Sequence, residues 1–165
     1  MIEVRQENLV TADVECILRS VGSRLEPLTA IGREVGVAAG EEVLERLEQM
    51  GDLPVGGAVI TPAGNLSAAF IVHVALQSHE EPVSRGGLRR ALQNGLRHAG
   101  RIGIETMAIP PLGMGPGNLD AESAAEVMFE VLRGHMEDEE YPREVTVMVT
   151  TEYDLQAFAS SLAQD

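Results

Sequence analysis

Three glycines at alternate positions, Gly113, Gly115 and Gly117, separate a short apolar run, Met107-Ala108-Ile109, from an aspartate, Asp120. The run predicts the end of a buried strand, and Asp120 predicts the N-cap of a helix over Ala121–His135. Strand, glycine turn and helix start in that order make a nest of backbone N–H groups at the positive end of a helix dipole. Such a nest holds phosphate without basic side chains. Glycines also serve simply to turn a chain tightly, so this stretch alone leaves both readings open.

Other residue types that do chemistry are present without the spacing that chemistry needs. The four histidines form no i, i+4 pair of the kind that binds a metal on a helix, so no metal site is expected. His73 interrupts an apolar strand and reads as a core histidine with its hydrogen bonds satisfied; His98 falls late in a helix, where it complements the dipole. Cys16, the single cysteine, sits in an apolar run and reads as a small buried hydrophobe. There is no Gly-x-Ser-x-Gly elbow, Walker lysine or His-Glu-x-x-His motif. The carboxylate runs Glu80-Glu81 and Glu137–Glu140 read as solvated faces, and Arg89, Arg90 and Arg97 as local ion-pair partners. No residue is assigned a catalytic role, and no cofactor is expected.

These groups must be positioned by a chain of 165 residues, enough for one domain with a sizeable core, taken here as residues 1–165. Apolar residues make up 44%, which argues against disorder. With three Phe, two Tyr and no Trp, the core must be aliphatic. The net charge is −14 and every basic residue is arginine, a balance that repels a nucleic-acid backbone. No apolar run approaches the roughly 20 residues of a membrane helix, and the first residues do not read as a signal peptide. A cytoplasmic protein with no membrane contact is the expectation.

The pattern along the chain predicts strands at Ile2–Arg5, Val14–Val21, Ala58–Ile60, Ala69–Leu76, Met107–Ile109 and Val145–Thr150. Helices are predicted at Ala30–Ala39, Glu41–Met50, Ser84–Ala99 with Gly100 as its stop, Ala121–His135 and Asp154–Leu162. Gln6–Ala12 and the acidic stretch Gly134–Pro142 read as loops. Gly32 and Gly36, four apart, give the first helix a small face for close packing on a sheet. Alternation of strands and helices argues a three-layer α/β/α domain with a mainly parallel sheet, whose ligands sit outside the carboxyl ends of the strands. The 22–29 and 111–119 loops are expected to share that rim.

Three stretches together resemble the macro domain, and the likeness covers almost the whole chain. Val55–His73 is similar to the family's Gly-x-Ala-x-x-Thr-x-Gly segment and the strand after it. Pro110–Asp120 is similar to its phosphate loop, and Asp13–Gly40 runs without a gap against the segment with its Asn-Ala-Ala-Asn and Gly-Gly-Gly motifs. The resemblance implies an α/β fold with a mixed, mainly parallel sheet of about six strands between helices, and a cleft for ADP-ribose or a related nucleotide. It places Gly113, Met114, Gly115, Gly117 and Asn118 at phosphate, Asn8, Leu9 and Thr150 at adenine, and Gly22, Ala30 and Ile31 in the first loop.

The chain departs from the family pattern at chemically important positions. Asn8 replaces the aspartate that receives the adenine amino group, and Gly22 replaces the asparagine at the distal ribose. Leu28-Thr29-Ala30 replaces the three glycines of the first loop, and Pro116 brings no N–H to the second. Tyr153 stands near the position of the aromatic that stacks on adenine. The leading expectation is therefore a nucleotide-binding module of weakened affinity. The alternatives are a hydrolase of ADP-ribose derivatives and a degenerate macro fold used for protein–protein contact.

Overall fold

The computed structural model describes residues 1–164. The strands are β1 (Ile2–Gln6), β2 (Cys16–Gly22), β3 (Ala58–Pro62), β4 (Phe70–Gln77), β5 (Thr106–Ile109) and β6 (Glu144–Val149). The helices are α1 (Ala30–Ala39), α2 (Glu41–Met50), α3 (Arg85–Ile102), α4 (Ala121–Asp138) and α5 (Glu152–Ala163). The sheet order is β1-β6-β5-β2-β4-β3, with every pair parallel except β3–β4.

Alternation along the central strands divides the core in two, because successive side chains leave opposite faces of a sheet. Cys16 and Leu18 of β2, with Val72, Val74 and Leu76 of β4, join the cluster under α3, α4 and α5. Ile17 and Val21, with Ile71 and Ala75, join the cluster under α1 and α2. Strands buried on both faces read as continuous apolar runs, as these do. Phe129 and Phe158 meet edge-on at 6.1 Å between ring centroids and tie α4 to α5.

One pair breaks the apolar rule. Arg19 and His73 lie side by side in the β2–β4 register, and both are fully buried. Arg19 Nε–H donates to His73 Nδ1 at 2.9 Å, and Arg19 Nη1 donates to the Gly32 carbonyl of α1 at 3.0 Å. With Nδ1 accepting, the imidazole carries its proton on Nε2, which donates to Thr61 Oγ1 at 2.9 Å. Burial, then the neighbouring Arg19 charge, push His73 down to about 3, so the ring stays neutral. Burial lowers Arg19 to about 10, which leaves it charged at neutral pH. The small face of α1 exists for this guanidinium: a Cβ at Gly36 would stand 2.8 Å from Arg19 Nη1.

Three stretches differ from the sequence expectation. The 6–12 stretch contains one turn of 3₁₀ helix, Leu9–Thr11, with Leu9 buried beneath it. α3 continues past Gly100 to Ile102 and stops at Gly103, whose left-handed φ of 84° lets its N–H reach back to the Ala99 carbonyl. α4 takes in the start of the expected acidic loop and runs to Asp138, where Met136 packs on the core. Among the described residues no helix is long and apolar enough to cross a membrane.

Candidate functional site

β5 ends at Ile109, and the chain then passes through Pro110 and Pro111 into the glycine turn. Gly113, Gly115 and Gly117 adopt φ of 75°, 127° and 80°, values that L side chains rarely take. The turn is closed by its own amides: Asn118 N–H donates to the Gly115 carbonyl at 2.9 Å, and Leu119 N–H to the Gly113 carbonyl at 3.0 Å. Pro116 has no N–H. The turn's remaining backbone donors are the N–H groups of Gly113, Met114, Gly115 and Gly117.

The helix that follows is already capped by an anion. Asp120 Oδ1 accepts the Ser123 N–H at 2.7 Å. That backbone bond, then the Ser123 hydroxyl and the Arg85 charge, hold the Asp120 carboxyl below its ordinary range. A carboxylate at this end of α4 takes up the dipole that the sequence reading assigned to phosphate. The donors left for an anion at this turn are its own amides.

The first loop is held in place by its own backbone hydrogen bonds. Gly22 N–H donates to the Glu26 carbonyl at 2.8 Å, Ser23 N–H to the Gln77 carbonyl at 2.9 Å, and Leu53 N–H to the Ser23 carbonyl at 2.7 Å. Leu25 takes φ 68°, costly for a branched side chain, and its burial in the core offsets the cost. Leu28 turns inward, half-buried against the cluster that also receives Met114 and Leu119. Thr29 Oγ1 caps α1 by accepting the Gly32 N–H at 3.0 Å.

Because β1, β5 and β6 are parallel, their carboxyl ends open on one side, and a pocket of ≈ 220 Å³ lies there. Leu9, Ile31, Met114 and Met148 give it apolar walls, with Pro110 and Pro111 beside them. Glu7, Thr29, Gly115, Thr150 and Asp154 supply its polar rim. A second depression of ≈ 560 Å³ lies at the ends of β2 and β4, where Gly22 is a wall.

Of the residues expected at the ligand, Leu9, Ile31, Met114, Gly115 and Thr150 line the first pocket. Gly113, Gly117 and Asn118 shape the turn beside it, and Ala30 opens α1 as an exposed residue. Asn8 is used locally: its Oδ1 accepts the Val10 N–H at 3.0 Å and caps the 3₁₀ turn. Tyr153 is 67% exposed, donates to Glu122 Oε1 at 3.2 Å and lines a different groove, between α4 and α5. Glu7 and Asp154, which sequence reasoning did not single out, line the apolar pocket as well. The residue pattern gave no signal for them, because only the parallel β1–β6 pairing and the start of α5 bring them together. Among the described residues no group of three metal-ligating side chains converges. Cys16 is fully buried, and burial pushes its thiol up to about 12, which keeps it protonated at neutral pH.

A mixed six-stranded sheet between two helical layers, with hollows at the carboxyl ends of parallel strands, defines a three-layer α/β/α architecture. The Macro domain profile matches residues 22–128, and the chain belongs to that family. It is 28% identical over 174 residues to an O-acetyl-ADP-ribose deacetylase of Enterobacter cloacae, covering 99% of this chain and 94% of that one. It is also 25% identical over 134 residues to an uncharacterized protein of Mycobacterium tuberculosis, covering 81% of this chain but only 37% of that longer one. Among solved structures, the macrodomain of Oceanobacillus iheyensis with ADP superposes at TM-score 0.87 and 18% identity, covering 98% and 89% of the two chains. The Trypanosoma brucei macrodomain in complex with ADP-ribose superposes at 0.88 and 13%, covering 98% and 69%.

Proposed function

We propose that the chain is a binding module for ADP-ribose or a related phosphate-bearing nucleotide. The observation that carries this reading is the adjacency of the apolar pocket to the glycine turn, with Met114 and Gly115 belonging to both. A volume of ≈ 220 Å³ is below the roughly 300–1,000 Å³ of sites that enclose a whole drug-sized ligand. It suits one ring system. A base between Leu9, Ile31 and Met148 places its exocyclic amino group at the rim carboxylates Glu7 and Asp154, and the phosphates beside the turn. Macrodomain structures holding ADP and ADP-ribose support the choice of ligand class.

Affinity in this reading is limited by donors. Each charge-assisted hydrogen bond contributes about 1.5–3 kcal/mol, and Pro116 and the backbone amides of Asn118 and Leu119 offer none to a phosphate. The matching test is an amide-resolved NMR titration with ADP-ribose. Shifts concentrated at Leu9, Ile31, Met114, Gly115, Thr150 and Asp154 support the reading, and shifts scattered over α3 contradict it.

A second reading, hydrolysis of ADP-ribose derivatives, is favoured by the name of the Enterobacter relative. It lacks a catalytic group in the apolar pocket beyond the two rim carboxylates. Turnover of O-acetyl-ADP-ribose or ADP-ribose-1″-phosphate, lost on Asp154→Asn or Glu7→Gln, would establish it.

A further inference from the structure

Arg19 is a charge buried without a counter-charge. It is 1% exposed, and among the described residues no carboxylate stands within ion-pair distance of it. Both of its hydrogen bonds go to neutral groups, the His73 imidazole and the Gly32 carbonyl. Burial is what shifts its pKa, with no carboxylate acting on it. A buried cation is costly unless an anion offsets it. Stability alone would favour an aliphatic side chain here, as at Ile17 and Val21 on the same face of β2. The charge is kept against that preference, and it lacks an anion.

Its position says where an anion would profit from it. Gly32 is the third residue of α1, and Thr29 and Ile31 at the start of that helix line the apolar pocket with Met114 and Gly115 of the glycine turn. The guanidinium therefore lies one helical turn, about 5 Å, beneath that wall. Among the described residues no basic side chain lines the pocket itself, and its carboxylates Glu7 and Asp154 repel an anion. At an effective dielectric constant of about 20, attraction across roughly 10 Å raises affinity on the order of tenfold for each unit of phosphate charge. A charge inside the core is also screened little by salt.

We propose that Arg19 is a positioning residue for the phosphates of the nucleotide: its uncompensated cation, one turn beneath the start of α1, draws them to the pocket rim without touching them. The inference rests on the nucleotide reading above and adds to it a source of attraction that no side chain on the rim supplies.

The test is calorimetric titration of the full chain, of Arg19→Gln and of His73→Glu with adenosine, ADP and ADP-ribose at one salt concentration. Arg19→Gln keeps a donor for His73 Nδ1 and removes the charge. His73→Glu leaves Arg19 in place, supplies the missing counter-charge, and offers acceptors to Arg19 Nε–H and the Thr61 hydroxyl. The expected result is at least tenfold preference of the unaltered chain for ADP over adenosine, reduced at least fivefold in both variants, with adenosine bound alike by all three. A preference near one in the unaltered chain, or one unchanged by His73→Glu, overturns this inference and leaves the nucleotide reading standing. Equal loss of adenosine and ADP in both variants shows a purely structural role and overturns it as well. Failure of the unaltered chain to bind adenosine, ADP and ADP-ribose overturns both.

Discussion

At the scale of single residues, the network of Arg19, His73 and Thr61 is the feature with the sharpest physical consequence. In the folded state His73 remains neutral down to about pH 3, whereas the unfolded chain protonates it near the ordinary value of 6.5. The unfolded state therefore binds more protons in that window, and stability present above pH 6.5 is lost as pH falls toward 3. The slope from this group approaches about 1.4 kcal/mol per pH unit. Histidine ring resonances followed from pH 8 to 5 should stay constant for His73, and a titration midpoint near 6.5 would show the network absent. Thr61→Val strands a buried N–H and should cost about 1–3 kcal/mol in a urea melt. Pro116→Ala acts in the other direction: it gives the glycine turn one more donor and should tighten ADP-ribose binding by up to about tenfold. Unchanged or weaker binding would place the phosphate away from the turn.

At the scale of elements, α1 is where sequence and structure inform one another most. Its bounds, Ala30–Ala39, and its small face were legible from apolar spacing and the glycines four apart. What that face accommodates was not, because Arg19 lies in another element and reads only as an exception in a strand. Gly36→Ala gains about 1 kcal/mol of helix propensity but meets a guanidinium pinned by two hydrogen bonds. Overpacking at a buried site costs about 1–3 kcal/mol, so the variant should be less stable on balance. A raised melting temperature would contradict this. Helix ends that depend on a single residue were read less well. Gly100 resembles a stop, yet the left-handed cap falls at Gly103, and charge alone made the end of α4 look like a loop. The site was legible in part for the same reason: the turn is local, whereas Glu7 and Asp154 reach one pocket only through the order of strands in the sheet.

At the scale of the molecule, a net charge of −14 sets the sign of long-range effects. In the proposed reading an anionic nucleotide approaches against the field of the whole chain and is held by backbone dipoles rather than basic side chains. Raising salt shortens the screening distance, from about 30 Å at 0.01 M to about 8 Å at 0.15 M, and weakens that repulsion more than it weakens contacts in the cleft. ADP-ribose binding should strengthen as salt rises over this range, the reverse of a site built on arginine. A steep loss of affinity with salt would point to an arginine-lined site such as the groove between Arg89 and Arg97 on α3.

The most direct measurement is calorimetric titration of the chain with ADP-ribose, with ADP and inorganic phosphate alongside in one buffer. The account predicts saturable one-to-one binding of ADP-ribose, tighter than ADP, with phosphate alone far weaker because the turn offers few donors. No heat of binding from ADP-ribose or ADP up to millimolar concentration would contradict it.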